Sequence, residues 1–201
     1  MDKATVRYSG DIVAGSLLVW ESRIIARMLL EGVEKPDWRQ AIDIDNVLQK
    51  RSPVTARRQA RLIKSRLALM EPALWRMVVE GDADVAIQAL FAAAVKQSRL
   101  LADFMRHVVA SHWRVFQPHL SDADWRTYIE ACAQVDPAVL KWTDATRSKL
   151  RQVVFRMLAE AKYVSDTRSL ELLPVTLIPD VRQYLTDHSE TFVLSCMEVC
   201  P

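Results

Sequence analysis

The sequence predicts an all-α protein, a compact multi-helix globule, on three observations. Glycine occurs only four times in 201 residues, at Gly10, Gly15, Gly32 and Gly81. Apolar residues recur at three- and four-residue steps along most of the chain, the period of a helix with one buried side. Prolines follow polar or acidic residues in Ser52-Pro53, Glu71-Pro72 and Asp136-Pro137, and Pro179 opens a further polar turn. A proline at the first helical position costs little, because the N–H it lacks would have no partner there.

These signals place helices over 11–31, 37–48, 53–70, 72–80, 83–97, 99–117, 122–134, 137–142, 144–161 and 179–187. The first begins after Gly10 and is closed by Gly32, as Gly81 closes 72–80, each glycine standing where a helix C-terminus favours one. Only Gln97-Ser98 separates 83–97 from 99–117, so the two stretches read equally as one long helix. Ser121 precedes Asp122 and Asp124, and Thr143 precedes Asp144: a capping hydroxyl followed by acids suits the positive end of a helix. The β-branched stretch 170–178, interrupted by Pro174, is either a short β wing or an extended connector. The six tryptophans are scattered over helical positions and read as core anchors. Two lobes of one globule are expected, 1–81 and 82–201, each carrying one helix-turn-helix-like element.

Composition narrows the function. With 50% hydrophobic and 26% charged residues the chain is not globally disordered, and it is long enough to bury a core without metals or disulfides. Cys132, Cys196 and Cys200 make an odd, irregular set, which suits a reducing cytoplasm. The most apolar run, Ala86 to Val95, is half the length needed to cross a bilayer, so no membrane contact is expected. A net charge of +2 is too mild to imply a nucleic-acid partner by itself; the placement of the charges has to decide.

That placement is uneven. Residues 46–70 hold no acid but contain Lys50, Arg51, Arg57, Arg58, Arg61, Lys64 and Arg66. Ala56, Ala60, Ile63, Leu67 and Met70 form one apolar stripe, and at about 100° per residue Arg57, Arg58, Arg61 and Lys64 fall opposite it. A helix, a short turn and a second helix starting with Thr55, Arg57 and Arg58 is the layout of a helix-turn-helix, whose second helix enters the major groove. A second segment repeats the pattern more weakly. Leu150, Val153, Val154, Met157 and Leu158 form its apolar side, with Lys149, Gln152 and Arg156 pointing away, while Asp144 and Glu160 dilute its charge. Helix 137–142 before it and the stretch 170–178 after it would complete a winged helix. Each basic row reads either as a DNA-contacting surface or as a solvated face.

Other chemistries lack their residues. Four glycines cannot write a Walker or dinucleotide loop. Cys196 and Cys200 could share a helix face, but with only His188 nearby a zinc site lacks a fourth ligand, and His107 and His112 are poorly spaced for a shared metal. Asp43 and Asp45 point apart on a helix, and Glu21 reads as an ion-pair or capping partner. No catalytic constellation and no cofactor is expected.

The chain resembles the BrxA family of BREX phage-defence systems. The resemblance rests on Tyr8-Ser9-Gly10 and Gly15 before a long first helix, Glu21 within it, Gly32 and Trp38, Asn46-Val47-Leu48, and Ser52, Thr55, Ala56, Arg58, Arg66 and Leu67. It implies a small all-helical protein with helix-turn-helix elements that binds DNA beside a methyltransferase, ATPases and other BREX proteins. It also places Thr55 and Arg58 at the start of the first recognition helix. The expected function is therefore double-stranded DNA binding, mainly to phosphate, as a non-enzymatic component of a defence complex. The alternatives are a protein-interaction adaptor of the same complex and an RNA-binding helical bundle.

Overall fold

A computed structural model describes residues 7–199. Its helices are α1 (Val19–Leu30), α2 (Lys35–Arg39), α3 (Pro53–Leu67), α4 (Pro72–Glu80), α5 (Ala83–Gln97), α6 (Arg99–Phe104), α7 (Ala110–Arg114), α8 (Asp122–Val135), α9 (Asp144–Glu160), α10 (Pro179–Asp187) and α11 (Thr191–Met197). Among the described residues there is no sheet, only two isolated antiparallel bridges. The all-α expectation holds.

Local chemistry explains most helix starts. Pro53, Pro72 and Pro179 are the first residues of α3, α4 and α10. Ser52, Asp82, Ser98 and Thr143 cap α3, α5, α6 and α9 by accepting a backbone N–H. Ser121 and Asp124 form a reciprocal capping box on α8. At the end of α1, Gly32 has φ +67°, and the N–H groups of Gly32 and Val33 bond to the carbonyls of Leu29 and Met28, a Schellman closure that favours glycine. Gly81 is required for space instead: a Cβ there would lie 2.4 Å from the Met77 carbonyl oxygen.

Helix α5 is the axis of the molecule. Ala89 through Val95 are buried all round it, and it packs against α1, α3, α4, α6, α10 and α11. At Ser98 the chain turns by 104° before running on through α6, a π-helical turn (Met105–Val109) and α7. Ser98 is extended and caps Leu101, so 83–97 and 99–117 are two helices, the second ending at Arg114. No single helix among the described residues is long and apolar enough to cross a membrane; the bent pair α5 to α7 passes on length and composition only. One buried apolar cluster runs from Ile12 to Val199, through residues of both expected lobes.

Three elements differ from expectation, and a fourth, open in the sequence between a wing and a connector, is decided for the connector. The first helix is not continuous over 11–31: a 3-10 turn (Asp11–Ala14) is followed by a break, with Leu18 left-handed at φ 53°, before α1. The stretch 37–48 is instead α2 followed by a π-helical turn (Gln40–Ile44), stopped where Asn46 takes φ 49° and its side chain exchanges hydrogen bonds with the Lys50 backbone. Residues 137–141 form a 3-10 turn. The stretch 170–178 is no projecting wing. It is a strap tied by backbone hydrogen bonds to Pro118, Leu120, Tyr163 and Ser165, with Leu170, Leu172 and Leu177 buried.

Candidate nucleic-acid interface

Helix α3 displays its charges as its periodicity predicts. Ala56, Ala60, Ile63 and Leu67 are buried at 2% exposure or less, while Arg57, Arg58, Arg61 and Lys64 are exposed on the other side. Arg57 lies 3.7 Å from Asp43 with about half its side chain in water, so that pair screens it only in part. The Lys64 ammonium sits 4.1 Å from the centre of the Trp38 ring. Among the described residues neither Arg58 nor Arg61 forms an ion pair. Arg51 is exposed just before the helix.

Two of the expected DNA-contacting residues are engaged elsewhere. Lys50 is half-buried and ion-paired with Glu21, which gives Glu21 its structural role. Thr55 is half-buried; its N–H is taken by the Ser52 hydroxyl, which also donates to the Thr55 hydroxyl at 3.0 Å. Arg66, counted with the basic run, points inward and is 1% exposed. It donates to the Ser16 carbonyl at 2.9 Å and to Gln97 Oε1 at 3.2 Å. Burial pulls its pKa down from 12.5 to about 10, against the opposing field of Glu160. It therefore stays charged at neutral pH and is unavailable to phosphate.

The first element also departs from a helix-turn-helix in its connection. Residues 45–52 link the π-helical turn to α3, longer than the usual three- to four-residue turn. What α2 contributes instead is a wall. Arg39, which sequence reasoning left out, faces Arg57, Arg61 and Lys64 across a cleft of about 410 Å³ whose apolar lining is Trp38, Ile42 and Ala60. A second cleft of about 680 Å³, lined by Val33, Lys35 and Pro36, adjoins it and shares Trp38, Arg39 and Lys64. Arg39 is missed because its direction depends on how α2 docks on α3.

On α9, Lys149, Gln152 and Arg156 are exposed and Leu150, Val153, Val154, Met157 and Leu158 are buried. Arg151 is ion-paired with Asp122 and lies over the Phe155 ring. Both basic helices pack on the 3-10 turn Asp11–Ala14. They also grip the segment after it from two sides: Arg66 of α3 takes the Ser16 carbonyl, while Glu160 of α9 accepts from the Ser16 hydroxyl at 2.7 Å and the Leu17 N–H at 2.8 Å.

Cys132 and Cys196 are free, buried thiols, and burial raises both above the usual thiol range, Cys196 to about 11. Cys200 lies outside the described residues. His107 and His112 have separate carboxylate neighbours, Asp103 and Asp124. No cluster of three metal-ligating side chains occurs among the described residues.

Similarity to known proteins extends over nearly the whole chain. A family model described as BrxA matches residues 6–189. A protein of Paramagnetospirillum magneticum named BREX protein BrxA is 46% identical over 98% of both chains. One of the same name from Escherichia coli is 31% identical, covering 98% of this chain and 91% of its own. The crystal structure of an uncharacterized protein from Magnetospirillum magneticum superposes with a TM-score of 0.89 at 44% identity, covering 96% of this chain and all of that one. The chain belongs to the BrxA family.

Proposed function

We propose that this protein is a non-enzymatic, double-stranded DNA-binding component of a BREX phage-defence complex, working beside other BREX proteins. The observation that carries the reading is the exposed row Arg57, Arg58, Arg61 and Lys64 on a helix whose opposite side is sealed into the core. A chain of net charge +2 has concentrated cations where no acid follows for 25 residues, from 46 to 70. Such a row binds phosphate by counterion release, with weak sequence preference. Arg51 extends it, and Lys149, Gln152 and Arg156 of α9 supply a second contact.

Replacing Arg57, Arg58 and Arg61 together by glutamate is expected to abolish duplex binding in a mobility-shift assay while circular dichroism stays unchanged. All three side chains are exposed, so the fold does not depend on them. A folded triple variant that binds duplex as the parent does would defeat the proposal. Capture of another BREX protein by a chain with no DNA affinity at low salt would favour an adaptor, and preference for duplex RNA in competition would favour an RNA-binding bundle.

A further inference from the structure

Resting on the DNA reading, we infer that the α2–α3 cleft around Trp38 is a subsite for one unpaired nucleotide of the bound DNA. A row of exposed cations is all that a duplex backbone needs. The cleft offers something a stacked base pair cannot use: an aromatic and apolar lining ringed by cations. Trp38, Ile42 and Ala60 supply the first, and Arg39, Arg57, Arg61 and Lys64 the second, with Asp43 the one acid in the lining, paired to Arg57. A base inside a duplex has both faces covered by its neighbours, whereas an unpaired base has a free face and an adjacent phosphate. That pairing of flat ring and anion matches indole and guanidinium side by side. A volume of about 410 Å³ lies within the size range of small-ligand sites.

Two details support the assignment. Trp38 lines both clefts and is only half-buried, so its ring is reachable rather than locked in the core. Lys64 covers the ring through a cation–π contact at 4.1 Å, an interaction at an exposed position weaker than a stacked base. An incoming base therefore displaces the ammonium, which is left beside the phosphate that follows. Arg57 is partly neutralised by Asp43, so Arg39 and Arg61 are the guanidiniums left for that phosphate.

The test is fluorescence anisotropy of the full chain with three probes: a blunt duplex, the same duplex with a short unpaired thymidine extension, and the same duplex with an abasic extension of equal length. The thymidine-tailed duplex is expected to bind roughly tenfold more tightly than the blunt one, and the abasic-tailed duplex to bind like the blunt one. Trp38→Phe keeps the preference. Trp38→Leu abolishes it, so that this variant binds the tailed and the blunt duplex alike. Equal affinity for all three probes overturns the subsite and leaves the duplex reading standing. An abasic tail as effective as thymidine, or a folded Trp38→Leu variant that still prefers the tail, also overturns it. Failure to bind any probe overturns both readings. Should Trp38→Leu not fold, the abasic comparison on the unaltered protein still decides.

Discussion

Arg66 shows how one side chain can belong to a basic run and yet to the core. It follows Ile63 by three residues and precedes Met70 by four, so it stands within the apolar stripe of α3 rather than on the cationic side. That spacing was legible. What it grips was not, because the segment Ser16–Leu17 lies 50 residues upstream. Leu17 is fully buried, so the polar backbone around it needs partners inside the protein, and Arg66 and Glu160 supply them from two helices. Glu160 reads in the sequence as a dilution of positive charge; in the structure it accepts from Ser16 and Leu17, and its field favours the charged form of the buried guanidinium. Glu160→Ala removes two hydrogen bonds to a carboxylate, from Ser16 and Leu17, and is expected to cost about 3–5 kcal/mol. Arg66→Met removes the buried charge itself and leaves only a carbonyl and an amide without donors, costing about 1–3 kcal/mol. Urea denaturation of the two variants gives the order, and an arginine substitution more damaging than the glutamate one would contradict it.

At the scale of elements, ends written in local chemistry were readable. Serine, threonine or aspartate caps, or a first-position proline, mark the starts of α3, α4, α8, α9 and α10, each within one residue of expectation. Ends set by distant partners were not readable. The grip of Arg66 and Glu160 breaks 11–31, and the left-handed Asn46 ends 37–48 early. The strap at 170–178 was ambiguous because β-branched residues serve a wing and a buried connector alike; its backbone partners decide for the connector. The loss of the wing removes one support for a winged helix but leaves the α9 row exposed. If that row meets phosphate, Lys149→Glu with Arg156→Glu weakens duplex binding several-fold and flattens the dependence of log K on log salt by about 0.9 for each phosphate no longer neutralised. An unchanged slope would confine the interface to α3 and its surroundings.

The whole molecule joins the two basic helices through one interior. Helix α5 is apolar on every side from Ala89 to Val95, and elements from both ends of the chain close around it: α1, α3 and α4 from the first 81 residues, α10 and α11 from the last. A lobe that shares its principal core helix cannot lose that helix and keep its own apolar face covered. We therefore expect the divisions 1–81 and 82–201 to behave as one cooperative unit, although Gly81 offers a natural boundary in sequence. Far-ultraviolet circular dichroism, which reports all helices, and tryptophan fluorescence, which reports the neighbourhoods of Trp20, Trp38, Trp75, Trp113, Trp125 and Trp142, should give coincident urea transitions with one midpoint. Separate transitions would mean that α5 can hold one half without the other. In that case the two basic rows would not be rigidly placed, and a DNA surface spanning both would have to assemble on binding. A single transition is the condition under which the Ser16–Leu17 grip can transmit the position of α3 to α9, because both of its anchors then fold and unfold with the same core.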